Sequence, residues 1–315
     1  MSDIKELEIT DIFGLEEPAT KLIETVSNGI GKVYEPIHIK RMAKAKRDEI
    51  KIIGESITDN IDLPIKYDNG KISIESTDID ELIKRTGNRV LYREFRKQQN
   101  IETIIGETYS LLEKEEKVTA EPVNVDWIYQ FFDMAGEISD EYMQKLWAKI
   151  LAGEIKQPNT YTLRTLNTIK NITTYEANLY SKLVPFMIFS LEGPSIYNDV
   201  DLLEKYNISF DDLLKLDDCG LIRLNDFVQQ ILEDEKLVTD EIVFVIQGKI
   251  SFQIYTITES GKQIGNLMKK YTKCNNEYFF ELFNKLKINN GQCRVYKIES
   301  IEGKNINYDE TKDLL

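Results

Sequence analysis

The fold of this chain is decided by the stretch DWIYQFFDMAGEISDEYMQKLWAKILAGE, residues 126–154, which contains both tryptophans. Its apolar residues recur at helical spacing. Ser139 precedes two carboxylates, a typical helix start, and Gly153 is expected to end that helix. We predict packed helices around a core cluster formed by Trp127, Phe131, Phe132 and Trp147. The packing face of the helix after Ser139 consists of Leu146, Trp147, Ile150 and Leu151.

The residues that follow continue the helical pattern. Thr162 or a near neighbour is placed to cap a helix from Leu163 to Ile169. Thr173-x-x-Glu176 is a capping-box signature for the next helix, which Pro185 limits. These signals complete a compact helical domain over residues 119–190.

The residues before this domain predict two amphipathic helices with basic faces. The first runs from Pro36 to about Ile57, and the second from Ile79 or Asn88 to Lys114. A short hairpin around Asp68-Asn69-Gly70 separates them. In the second helix Gln98-Gln99-Asn100 interrupts an apolar seam, and such polar residues can fix the register between helices. The expected packing positions are Leu91, Phe95, Ile101, Ile105, Tyr109 and Leu112.

The basic rows of these two helices are the candidate interaction residues. A solvated positive face is the ordinary interpretation of such a row. The functional alternatives are an anionic partner, a lipid surface or an acidic face of another copy. The candidates are Lys40, Lys44, Arg47 and Lys51 on the first helix, and Arg89, Arg93 and Arg96, which follow Arg85, on the second.

The last part of the chain changes character. Two short helical patterns, a Gly-Leu-Ile exit, two strand-like runs and the helix start at Thr258 resemble a winged helix-turn-helix. The second helix of that pattern would face DNA phosphates with the wrong charge, because Lys215 stands against Asp211, Asp212, Asp217 and Asp218. We therefore expect no binding to duplex DNA and a winged-helix shape used for protein packing.

These patterns together predict a mainly α protein with a smaller α+β C-terminal domain. Residues 1–118 form a helical N-terminal region with a short hairpin. Residues 119–190 form the compact helical domain, and residues 191–315 form a winged-helix-like domain. A 315-residue chain that is 42% hydrophobic can bury cores of this size.

The composition argues against several kinds of chemistry. His38 is the only histidine, which excludes most histidine-dependent triads and every multi-histidine metal site. Cys219, Cys274 and Cys293 lie far apart and are expected to be buried thiols. Carboxylate-x-lysine pairs such as Glu154-x-Lys156 arise freely by chance when 30% of residues are charged. We predict no catalytic residue, no cofactor and no metal site.

The sequence also predicts a cytoplasmic protein. Its first residues are acidic and lack the apolar core of a signal peptide, and its apolar runs are shorter than a membrane span. The formal net charge of −14 repels phosphate backbones and anionic lipids on average. We expect no transmembrane segment, and any binding to such partners must use local patches.

The central segment resembles an uncharacterised bacterial family of unknown function. The resemblance rests on Trp127-Ile128, Phe131-Phe132, residues 138–154, Leu163-Arg164-Thr165-Leu166 and Glu176-Ala177. Weaker similarity extends upstream through residues 98–102 and 29–36. Similar proteins occur near bacterial mobile and anti-phage loci, so the resemblance implies a role in defence by abortive infection. It brings no catalytic residues.

The leading interpretation is a non-enzymatic homo-oligomer that acts by protein interaction in anti-phage defence. A protein partner of another kind fits the same features. The first alternative is a DNA-binding winged-helix regulator. The second is a carboxylate-based, metal-dependent nuclease effector, for which Glu154 is a testable residue.

Overall fold

A computed structural model describes residues 17–30, 66–68, 71–73, 79–113, 118–190, 193–239, 241–290, 292–302, 305–310 and 314. Internal contacts divide the chain into two compact units, Met1–Tyr161 and Thr162–Leu315. This division places residues 119–161 with the N-terminal helices. The boundaries expected near residues 118 and 190 stay predictions about parts that fold on their own.

The described helices and strands of the first unit are four helices and one short antiparallel hairpin. The hairpin pairs Lys66 with Ser73 and Asp68 with Lys71, as the sequence predicts. Its elements are α1 (Glu17–Ile30), β1 (Lys66–Asp68), β2 (Lys71–Ser73), α2 (Ile79–Leu112), α3 (Val125–Ala135) and α4 (Glu141–Lys156).

The predicted aromatic cluster forms the core of this unit. The Phe131 ring lies with its centroid 5.2 Å from the ring of Trp127 and 5.2 Å from that of Trp147. Trp147 is completely buried. Trp127 donates its indole N–H to the carbonyl of Tyr161 at 2.7 Å. The core prediction is confirmed, including the buried packing face formed by Leu146, Trp147, Ile150 and Leu151.

The two ends of α4 differ from their sequence signals. Asp140, not Ser139, is the N-cap, because its carboxylate accepts the Met143 N–H at 3.0 Å. Ser139 instead accepts hydrogen bonds from side chains of α2. The helix also continues past Gly153 to Lys156, since a single glycine costs only about 1 kcal/mol in a helix that is packed on its neighbours.

The second unit combines six helices with eight strands in its described residues. Helices come first, and strands then alternate with helices. They are α5 (Leu163–Asn171), α6 (Thr174–Leu183), β3 (Ile188–Ser190), β4 (Gly193–Tyr197), α7 (Val200–Glu204), α8 (Phe210–Asp218), β5 (Ile222–Glu233), β6 (Lys236–Val238), β7 (Ile242–Gln247), β8 (Lys249–Ile257), α9 (Glu259–Lys269), α10 (Asn276–Asn290), β9 (Gln292–Glu302) and β10 (Asn305–Tyr308).

The local start signals in this unit are confirmed. Thr162 caps α5, Thr173 and Glu176 form the capping box of α6, and Thr258 caps α9. A 3₁₀ turn at Val184–Phe186, which contains Pro185, follows α6 directly. These ends depend on side chains within one turn of the chain, which is why sequence finds them.

The predicted winged-helix-like domain is wrong. The strands build two antiparallel four-stranded sheets, in the orders β3-β4-β8-β5 and β10-β9-β7-β6. Four strands separate α8 from α9, and they are shared between the two sheets instead of forming one small hairpin. The C-terminal part is therefore a larger α+β unit than expected. The mainly helical character of the preceding residues holds.

The core of this unit lies where helices cover the sheets. Phe244 of β7 stacks on Phe283 of α10 with 4.1 Å between ring centroids. Helix α9 approaches the chain closely at Gly261, where the Leu221 carbonyl oxygen would lie 2.1 Å from an added Cβ. The buried hydroxyl of Tyr180 donates to the Gly261 carbonyl at 2.7 Å. Only glycine allows this approach, so α9 is fixed against Leu221.

Candidate interaction surface

Helix α2 divides into a buried C-terminal half and an exposed N-terminal half. From Asn100 onward its buried positions follow helical spacing through Ile101, Ile104, Ile105, Thr108 and Leu112. Before Asn100 no described residue of the helix is buried. The N-terminal half therefore extends for several turns without a covering layer among the described residues.

Large apolar side chains lie on this exposed half. Leu91 is 61% exposed, Leu82 57% and Tyr92 55%, and Val90 is also exposed. Leu91, an expected packing position, is therefore not covered by the described part of its own chain, and Phe95 is only half-buried. The helical spacing of apolar residues is the same in both halves of α2. Only the half that begins at Asn100 is covered by other described residues of the unit.

Four arginines share one side of this half of the helix. Arg85, Arg89, Arg93 and Arg96 follow one another at four, four and three residues, which aligns them along one face. Leu82 and Tyr92 lie within one turn of members of this row. We call these six residues the arginine face.

The arginine face is largely open. Arg89, Arg93 and Arg96 are exposed, and Arg85 is half-buried. Arg93 pairs with its neighbour Glu94 at 3.0 Å, a surface contact that contributes little stability. Arg96 donates to the Ser139 hydroxyl at 2.9 Å, which holds the end of the row against the loop before α4.

A buried polar group marks the point where α2 meets the rest of its unit. Asn100 donates to the Gly136 carbonyl at 2.7 Å and accepts from Gln144 at 3.2 Å. Next to it Lys97 pairs with Glu137 at 2.8 Å, and this bond raises the pKa of the Lys97 ammonium. Of the three polar residues predicted to interrupt the seam, Gln98-Gln99-Asn100, only Asn100 is buried, and it bonds to α4 and to the turn before it.

The first predicted basic row cannot be placed beside the second. Lys40, Lys44, Arg47 and Lys51 lie outside the described residues, and so does the rest of their predicted helix. The structure therefore locates only the second half of the candidate set, on α2.

A surface of opposite charge lies on α8 of the second unit. Phe210 and Leu214, 45% and 42% exposed, are one turn apart on its outer side. Asp211 and Asp218 are exposed beside them, and Asp217 is half-buried. We call these five residues the acidic face. Sequence analysis used the aspartates to argue against DNA binding and missed the apolar pair, although its i, i+4 spacing is visible.

The acidic face is held in place by its own surroundings. Lys215 pairs with Asp211 at 2.5 Å, and its ammonium lies 5.6 Å from the ring centroid of exposed Tyr175. Asp217 lies 4.0 Å from Arg223 on β5. The capping box at Ser209 fixes the first turn. The face therefore sits on a well-defined helix start.

Comparison with protein families places most of the chain in a family. A family model described as a protein of unknown function (DUF2806) matches residues 84–283, which is more than half of the chain. The chain belongs to the DUF2806 family. No curated protein and no solved structure matches it. The DUF2806 match includes all four arginines of the arginine face and all of α8.

Glu154, the residue singled out for a nuclease alternative, holds a loop in this DUF2806 chain. Its buried carboxylate accepts the backbone N–H groups of Asn159, Thr160 and Tyr161 at 2.6–3.1 Å. Burial raises the pKa of Glu154, although these three donors oppose the shift. Both carboxylate oxygens accept hydrogen bonds from the loop after α4, so Glu154 stabilises that loop.

A cleft of about 450 Å³ lies beside α1 in the first unit. Buried Lys21 lines it and donates to the Thr119 carbonyl at 2.6 Å. Burial lowers the pKa of Lys21, and Glu121, Glu17 and Glu24 oppose that shift. This cleft was not found from sequence, because its walls come from segments about 100 residues apart.

The second unit has a groove of about 520 Å³ along α5. Arg164, Asn171, Glu176, Asp218 and half-buried Cys219 contribute to its walls. Burial raises the pKa of the Cys219 thiol to about 11. All three cysteines are free thiols, but only Cys293 is buried as expected.

The described residues contain no group of three or more His, Cys, Asp or Glu side chains arranged to hold a metal ion. They also contain no helix long and apolar enough to cross a membrane.

Proposed function

We propose that this DUF2806 protein works by binding other protein chains, with self-association through the N-terminal half of α2 as its basic activity. The observation that carries the proposal is the exposure of Leu82, Leu91 and Tyr92 on a helix half in which no described residue before Asn100 is buried. The role that we propose is non-enzymatic and uses this surface to form a homo-oligomer.

The physics of helix stability supports a partner for this half. Helices in proteins gain most of their stability from packing an apolar side, and short isolated helices are marginal in water. Residues 79–99 make roughly six turns. Their exposed apolar side chains would be covered in a complex, as is common for apolar patches at interaction sites.

The charges favour a protein partner with acidic groups. The arginine face lies in a chain of net charge −14, so much of the remaining surface of any second copy is acidic. Complementary charges speed association and select orientation, while the apolar side chains supply the area that is removed from water. A second copy satisfies both requirements.

The cellular role and location form part of the same proposal. Three free thiols suit a reducing compartment, which supports a cytoplasmic location. Assembly would then be the step through which a defence role in abortive infection operates. Arrest of phage replication by the parent but not by an assembly-deficient variant would support that role, and equal protection by both would contradict it.

Light scattering of the full-length chain tests the interaction surface. We expect the parent to form particles of more than one chain, and a Leu82→Ser/Tyr92→Ser variant to shift toward monomer. Tyr129→Ser is the matched control, because Tyr129 is 56% exposed and belongs to α3, not to α2. Equal association of the parent and the double variant would contradict the proposal. So would tight, sequence-specific binding to duplex DNA in a gel shift.

A further inference from the structure

We infer that the arginine face of one copy binds the acidic face of α8 in a second copy. This inference rests on the proposed function and adds the receiving surface. Each face combines two exposed apolar side chains with charges of one sign. Leu82 and Tyr92 accompany the arginines, and Phe210 and Leu214 accompany the aspartates.

The two faces match in charge and in spacing. Along a helix axis, Arg85 to Arg93 spans about 12 Å, and Asp211 to Asp218 spans about 10 Å. Two helices packed side by side can therefore bring two arginines against two aspartates. Arginine forms planar, paired hydrogen bonds with carboxylates, which favours this pairing over a diffuse attraction.

The apolar residues give the contact a core that is removed from water. Phe210 and Leu214 form a ridge one turn long, and aromatic and leucine side chains on the partner can pack beside it. Charged pairs around an apolar centre fix orientation more than they add affinity. The contact should therefore weaken with salt but not vanish.

Charge reversal in the full-length chain tests the pairing. Arg89→Glu/Arg93→Glu places acids against the acidic face, and Asp211→Arg/Asp218→Arg places arginines against the arginine face. By sedimentation velocity, each variant alone should associate at least about tenfold more weakly than the parent. A one-to-one mixture of the two should regain association, because each copy then offers a complementary face to the other.

Matched controls separate this pairing from a general charge effect. Glu233→Arg/Glu299→Arg changes the net charge by the same amount at exposed positions on β5 and β9, and should associate like the parent. Circular dichroism melting checks that every variant is folded. If the Asp211→Arg/Asp218→Arg variant unfolds, Asp201→Arg/Glu204→Arg is tested in its place, because both residues are exposed on α7. Mixing this α7 variant with Arg89→Glu/Arg93→Glu should not restore association. Restored association would show that α7, and not α8, binds the arginine face.

The outcomes distinguish the inference from the proposed function. If the parent is monomeric, both are wrong. If the parent associates and the arginine reversals weaken it, but the α8 reversals do not, self-association through α2 stands and the acidic face is not its receiver. If both reversals weaken association and the mixture stays dissociated, the pairing between copies is wrong.

Discussion

Gln144 donates its side-chain amide to the side-chain oxygen of Asn100 at 3.2 Å, joining two buried residues that are 44 positions apart. This bond ties α4 to the turn of α2 at which exposure gives way to burial. The same Asn100 amide holds the Gly136 carbonyl. The pair therefore lies where the buried C-terminal half of α2 begins.

The effects of mutating Asn100 and Gln144 on stability should be coupled, because their side chains share a hydrogen bond. Asn100→Ala leaves the Gly136 carbonyl without its side-chain donor, so we expect a loss of about 1–3 kcal/mol in the free energy of unfolding. In a double-mutant cycle with Gln144→Ala, denaturant unfolding should show a coupling energy of at least about 0.5 kcal/mol. Simple additivity of the two losses would show that the bond does not join the helices.

Trp147 should be a major determinant of stability. Its side chain is fully buried and touches the ring of Phe131, so Trp147→Ala should cost about 3–5 kcal/mol through lost burial and a cavity. Tyr129→Ala, on the exposed side of α3, should cost less than about 0.5 kcal/mol. Similar melting of both variants would contradict the assignment of Trp147 to the core.

Two helix glycines should respond to alanine in opposite directions. At Gly261 an added methyl would collide with the Leu221 carbonyl, so Gly261→Ala should destabilise by about 3 kcal/mol or more. At Gly87 nothing lies within 4 Å, so Gly87→Ala should stabilise α2 by about 0.5–1 kcal/mol. Thermal melting measures both, and a neutral Gly261→Ala would disprove the close approach of α9.

The buried carboxylate of Glu154 should make stability depend on pH. Because burial raises its pKa in the folded chain, the folded state binds this proton more tightly than the unfolded state. The stabilisation is present below the ordinary carboxyl pKa of 4.5 and is lost as pH rises through the folded value. The parent should therefore lose stability relative to Glu154→Gln over that range.

Urea unfolding of both chains at several pH values measures this difference. Glu154→Gln also places an amide N–H₂ against the loop donors, which lowers its stability by about 1–3 kcal/mol at every pH. That constant cost does not alter the slope. A parent that gains stability over Glu154→Gln as pH rises would reverse the assigned shift.

The features that sequence predicted are those set by neighbouring residues. The Thr162 cap, the Thr173–Glu176 capping box and the hairpin at Asp68 each depend on a few consecutive side chains. The aromatic core was also predicted from sequence, because large apolar residues at helical spacing indicate the buried face of a helix.

The features that sequence missed depend on distant partners. The strand β8 pairs with both β4 and β5, and β7 pairs with β9 nearly 50 residues later, which no local pattern encodes. For that reason two short helices, a Gly-Leu-Ile exit, two strand-like runs and the helix start at Thr258 were wrongly interpreted as a winged helix-turn-helix. Sequence also did not distinguish exposed Leu91 from the buried positions of α2, because apolar periodicity is the same whether or not another helix covers it.

Sedimentation velocity of the full-length protein from sub-micromolar to tens of micromolar concentration tests self-association through α2 most directly. We expect a sedimentation coefficient that rises with concentration for the parent and stays at the monomer value for Leu82→Ser/Tyr92→Ser. The rise should shrink as salt screens the arginine face. A parent that remains monomeric across the whole range would contradict the account.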